Sequence, residues 1–110
     1  MNTVFIQNGD NIDYTPTVDV PSGTVVVLGE LVGVTRRPIA ANTLGSLAVS
    51  GVFDFPKATA VGSAIGVGVN IYWNVATLQA TTTASGNKLI GKTIQAAADT
   101  DVTVRVRLSQ

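Results

Sequence analysis

The chain has 110 residues, the size of one domain, and only 13% of them are charged, against about 25% in an average soluble domain. Seven basic residues balance seven acidic ones, so no basic excess exists to neutralise a phosphate backbone and no polybasic run to hold anionic lipid, which argues against nucleic-acid and membrane partners. Cysteine and histidine are absent, which removes disulfides, thiolate nucleophiles, zinc-type clusters and the commonest general base.

Valine, threonine and isoleucine make up about a third of the chain. These β-branched types fit a pleated, half-buried surface and are poor in helices. Glycine and proline punctuate them at the spacing of a sandwich or barrel, so the expected class is all-β. The first ten residues lack a basic segment followed by a long apolar run, so they do not read as a signal peptide. Thr3 to Gln7 reads as a short first strand, with Asn8-Gly9-Asp10-Asn11 as a turn and Ile12 to Tyr14 as its continuation. Val25 to Leu28 follows Pro21-Ser22-Gly23, and Glu30 to Thr35 follows Gly29. Leu47 to Phe55 alternates across Gly51 and stops at Pro56. Asn70 to Asn74, Leu78 to Thr82, Lys88 to Ile94 and Val102 to Leu108 complete the set. The last is the clearest, with valines on one face and Thr103, Arg105 and Arg107 on the other. Helical turns are plausible only at Ala58 to Ile65 and Gln95 to Ala98. The expectation is one β-barrel or β-sandwich domain over residues 1–110, with short turns and residues 1–11 either an N-terminal arm or a strand of the domain.

Leu31-Val32-Gly33-Val34-Thr35 echoes Leu89-Ile90-Gly91-Lys92-Thr93. Each copy follows an apolar strand and precedes an Ala-rich bend and an alternating strand. A pseudo-symmetric barrel or sandwich would produce this echo, and so would chance in a chain rich in Val, Gly and Thr.

Gly86 to Thr93 satisfies GxxxxGK[ST], in which glycine amides wrap phosphates, lysine meets their charge and a hydroxyl holds magnesium. Its context is wrong for a phosphate loop. The preceding residues, Ala80 to Ser85, are polar rather than a buried strand, and Thr93 to Ala98 is too short for the helix that faces the anion. Gly62 to Gly68 lacks GxGxxG spacing, and Asp99 and Asp101 lack the further acidic ligands of a calcium loop. Arg36-Arg37 and the Arg105, Arg107 pair read as solvent or interface faces. With no histidine there is no serine triad. No catalytic residue, cofactor or metal is expected. On a strand Tyr72 and Trp73 face opposite sides, so one is expected in the core and the other outside, where such residues serve as interface anchors.

The run Phe5-Ile6-Gln7-Asn8-Gly9-Asp10, then Gly51-Val52-Phe53-Asp54-Phe55-Pro56-Lys57, Val69-Asn70-Ile71-Tyr72-Trp73-Asn74 and Val104-Arg105-Val106-Arg107-Leu108 resembles the family of tailed-phage capsid decoration (cement) proteins. Ser22-Gly23, Leu31 to Val34, Ala80 to Thr82 and Gly86 to Gly91 fall into the same order, so the likeness spans almost the whole chain. Some members look to have been labelled RecA-like recombinases. Lys92 stands where relatives usually carry a small or apolar residue, and it completes the false phosphate-loop letters. The resemblance implies a structural virion protein made in the host cytoplasm and placed on the outer surface of the phage head. There it would bind the major capsid protein, often as a trimer or dimer, and stabilise the expanded shell by bridging subunits. Expected capsid or subunit contacts are Thr3, Val4, Phe5 and Ile6 near the N-terminus, together with Tyr72 and Trp73. An ATP-binding recombination protein and a small virion module for tail or host-surface contact are the rival readings.

Overall fold

Alternation of branched apolar residues with polar ones produces nine strands and no helix among the described residues. The computed structural model describes residues 3–7 and 9–109. The strands are β1 (Asn11–Tyr14), β2 (Val25–Leu28), β3 (Leu31–Val34), β4 (Gly45–Ala48), β5 (Gly51–Pro56), β6 (Asn70–Asn74), β7 (Gln79–Thr81), β8 (Lys88–Thr93) and β9 (Thr103–Leu108). They form two antiparallel sheets, one ordered β1-β4-β3-β2 and the other β5-β9-β8-β6-β7. The architecture is all-β and sandwich-like. A single parallel bridge, Lys57 to Ala80, brings the end of β5 to β7 without closing the larger sheet into a barrel.

One core serves both sheets. Val32 and Val34 of β3 cluster with Ile90 of β8, Val104, Val106 and Leu108 of β9, and Phe55, Ile71 and Trp73. The inward positions recur every second residue, most cleanly in β9, where Val104, Val106 and Leu108 alternate with exposed Thr103, Arg105 and Arg107. Phe55 packs edge-on to both Phe53 and Trp73, with centroids 6.3 and 6.2 Å away. That is the geometry the ring quadrupole favours.

The sheet orders superimpose. β1 answers to β5, β4 to β9, β3 to β8 and β2 to β6, and β7 is additional. Val20 bridges Ile39 beside the first sheet as Ile65 bridges Ala97 beside the second. The echo of Leu31–Thr35 in Leu89–Thr93 is therefore a structural repeat, with each copy at the same place in its own sheet.

Three sequence expectations change. Leu47 to Phe55 is two strands in different sheets, because β4 ends at Ala48 and β5 begins at Gly51, whose φ of 116° belongs to glycine. Ala58 to Ile65 and Gln95 to Ala98 are bends and turns with no helical turn. Residues 3–6 lie outside any strand, and Gln7 is in a bend. The reason is geometric: Val49 N–H donates to the Asp10 carbonyl and Ser50 Oγ to the Asp10 carboxylate. Pairing with β4 thus ends at Asp10, where the partner chain turns away into the other sheet. The Asn8 part of the predicted turn lies outside the described residues.

Candidate functional site

The phosphate-loop letters are strand chemistry. Lys88 to Thr93 is β8, paired with both β6 and β9. Gly91 is required because a β-carbon there would collide with the Arg107 backbone carbonyl. Its counterpart Gly33 likewise lets β3 approach Leu47, whose Cβ would lie 3.0 Å from an added β-carbon. Thr93 is buried; its Oγ1 donates to the Gly66 carbonyl at 2.6 Å and accepts from Val69 N–H at 3.0 Å. Lys88 is spent in an ion pair with Glu30 at 2.6 Å. Glycine and hydroxyl are thus explained by a close strand crossing and a buried turn latch. Among the described residues no group of three or more acidic side chains is placed to hold a metal ion.

The expected contact residues separate into two kinds. Val4, Phe5 and Ile6 are 71%, 77% and 81% exposed, a run of apolar side chains with no core of its own. Thr3 is exposed beside them. Trp73 is buried against Phe55, whereas Tyr72 on the opposite face of β6 is half-buried. Of the aromatic pair, Tyr72 is the one that faces outward.

Sequence reading missed Lys57. It is 4% exposed, and its ammonium donates to the carbonyls of Ala58 (2.7 Å), Ala98 (3.0 Å) and Asp101 (3.0 Å). Ser63 Oγ and the Asp99 carbonyl lie at 3.4 Å. The lysine ties the bend after β5 to the turn before β9 from inside. Its signal was available in the period of two: Phe53 and Phe55 share one face of β5, and Lys57, one residue past the strand's end, continues that inward row.

Two ion pairs occur among the described residues. Arg105 of β9 faces Asp54 of β5 in a two-pronged contact, Nε to Oδ1 at 3.0 Å and Nη2 to Oδ2 at 3.3 Å, and Nη1 reaches the Gln95 side-chain oxygen at 3.2 Å. The hydrogen bond and charge of Asp54 raise the Arg105 pKa above its ordinary value. Arg36, Arg37 and Asp13 form no ion pair among the described residues. They line an open groove of about 690 Å³ between the Arg36–Ala40 bend and β1–β4.

The arrangement among the described residues is one of exposed surfaces. It offers a half-exposed tyrosine and a charged open groove on a two-sheet β framework, and an exposed apolar N-terminal run outside the strands. Neither the curated proteins nor the solved structures contain a match to this chain. The family model described as phage cement protein does match it, over residues 6–108. That span takes in both sheets and all nine strands, and the chain belongs to the phage cement protein family.

Proposed function

We propose that this cement-family chain binds the outer surface of the expanded phage head and bridges neighbouring major capsid subunits. Membership of a family of structural phage proteins supports a role in the capsid. A protein that binds the expanded shell and not its dissociated parts stabilises that shell by mass action. A trimer, or failing that a dimer, raises the gain further, because each additional contact is made at high effective concentration.

The single observation that carries the reading is the exposed run Val4-Phe5-Ile6. Three large apolar side chains in a row, outside any strand and free of charge, suit an arm that adds a strand to a sheet edge of a capsid subunit. Main-chain hydrogen bonds would give affinity and alternate side chains specificity. Residues 1–11 are then a docking arm on a single domain, with Tyr72 a further contact from the domain face. Trp73 supports that face from the core.

Deleting residues 2–7 and measuring occupancy on purified heads tests the arm. Loss of binding is expected while the domain keeps its far-ultraviolet spectrum. Unchanged occupancy would move the contact elsewhere on the domain.

A further inference from the structure

The repeat supplies an internal comparison for the groove beside Arg36 and Arg37. Aligning Leu31–Thr35 with Leu89–Thr93 makes Val34 the counterpart of Lys92. Their cross-strand partners, Ala48 and Arg107, are then counterparts too. Two steps along, the pair Asp13 and Ser46 answers to the pair Asp54 and Arg105. In the bends, Arg37 answers to Gln95 and Ile39 to Ala97, the two bridge residues. Asp13, Ser46, Arg37 and Ile39 line the groove in the first sheet, and Asp54, Arg105, Gln95 and Ala97 line a smaller hollow of about 220 Å³ in the second.

The second copy is filled from within. Arg105 lies across it, held by Asp54 and Gln95. In the first copy a serine stands where that arginine would be, and an arginine where its glutamine acceptor would be. The groove is open, and Asp13, Arg36 and Arg37, which all line it, form no ion pair among the described residues. A guanidinium from outside could meet Asp13 but would face the like charge of Arg37. A carboxylate would face the one like charge of Asp13 but meet two arginines, and the planar arginine fork suits a carboxylate in two-pronged fashion.

We infer that the groove between the Arg36–Ala40 bend and β1–β4 receives an acidic segment of a partner protein, whose carboxylate is held by Arg36 and Arg37. Asp13 serves as an acceptor for that segment's backbone N–H. On the cement reading, on which this inference rests, the partner is a capsid subunit presenting an aspartate or glutamate in a surface loop.

The test is co-sedimentation of the full chain with expanded heads that lack it, at two salt concentrations. Arg36→Ala with Arg37→Ala is expected to weaken binding at least tenfold and to flatten its salt dependence. Lys92→Ala, which removes a charge from the other repeat, is expected to leave both unchanged. Ser46→Arg is the more specific variant. It sets an arginine opposite Asp13 and beside Arg37, where it fills the groove and competes for it, so it is expected to lower occupancy on heads while the domain keeps its fold. If wild type binds and the double arginine variant binds equally, with the same salt slope, the groove inference is overturned and the cement reading stands. If folded wild type does not bind heads at all, the reading falls and takes the inference with it.

Discussion

Thr35 and Thr93 hold the same turn in the two halves of the molecule. Thr35 Oγ1 donates to the Pro21 carbonyl at 2.8 Å and accepts from Thr24 N–H at 2.9 Å. Thr93 Oγ1 does the same with Gly66 and Val69. The threonine main chains match as well. Gly23 N–H donates to the Thr35 carbonyl and Gly68 N–H to that of Thr93, and both glycines have positive φ. Each hydroxyl stands in for a backbone partner that the turn cannot otherwise provide.

Removing either hydroxyl while keeping its shape exposes this equivalence. Thr35→Val and Thr93→Val each take the acceptor from a part-buried N–H, and Thr93→Val also takes the donor from the Gly66 carbonyl, whereas the Pro21 carbonyl keeps the Thr24 hydroxyl, so each is expected to cost about 1–3 kcal/mol. Denaturant titration of both variants measures the costs. Similar values support equivalent latches, and a neutral result at one site would show that turn to be held by something else.

Gly91 and Gly33 give a graded comparison. At Gly91 an added methyl meets backbone, which cannot step aside without parting β8 from β9. Gly91→Ala is expected to destabilise by about 3 kcal/mol or to prevent folding. At Gly33 the nearest atoms belong to the Leu47 side chain at 3.0 and 3.2 Å. There the neighbour can shift, and about 1 kcal/mol is expected. Thermal melts of the two variants check the order.

The Lys57 cage predicts selective chemical protection. An amine-reactive ester applied to the native protein should label exposed Lys92 and half-exposed Lys88 and leave Lys57 unmodified until the chain unfolds. Lys57→Met leaves the carbonyls of Ala58, Ala98 and Asp101 short of a charged donor, so a loss of about 3 kcal/mol is expected. Hydrogen exchange should then rise first in residues 58–64 and 98–101. Ready labelling of native Lys57 would contradict the cage.

Nucleotide binding is the rival that the letters at Gly86 to Thr93 raise. Titration of magnesium ATP into the folded chain is expected to release no binding heat, and Lys92→Ala is expected to change neither that nor the melting temperature by a measurable amount. Tight, magnesium-dependent uptake lost in Lys92→Ala would revive the rival.

Much of this fold was legible because period-two alternation is a local signal. β9 reads directly from Val104, Arg105, Val106, Arg107 and Leu108, and β6 and β8 nearly as directly. What the local signal could not supply was partnership. Thr3 to Gln7 has strand-like residues, yet the chain it would pair with leaves at Ser50, a fact held by the tertiary path and not by the residues themselves. The break between β4 and β5 depends on one glycine, and an alternating pattern runs straight through it. The Ala58–Ile65 bend carries helix-forming alanines, but Lys57 and the Ile65–Ala97 bridge hold it open as loop. The candidate groove was invisible for a related reason. Its meaning comes from comparing Ser46 with Arg105, and that comparison needs the strand register.

The most direct measurement is a titration of the labelled chain against expanded heads and, separately, against dissociated major capsid protein, followed by heating of the decorated heads. Saturable binding to the expanded heads, little to the free subunits and a higher disruption temperature for decorated shells are the expected results. Equal binding to both forms, or shells that break at the same temperature with and without the protein, would contradict the account.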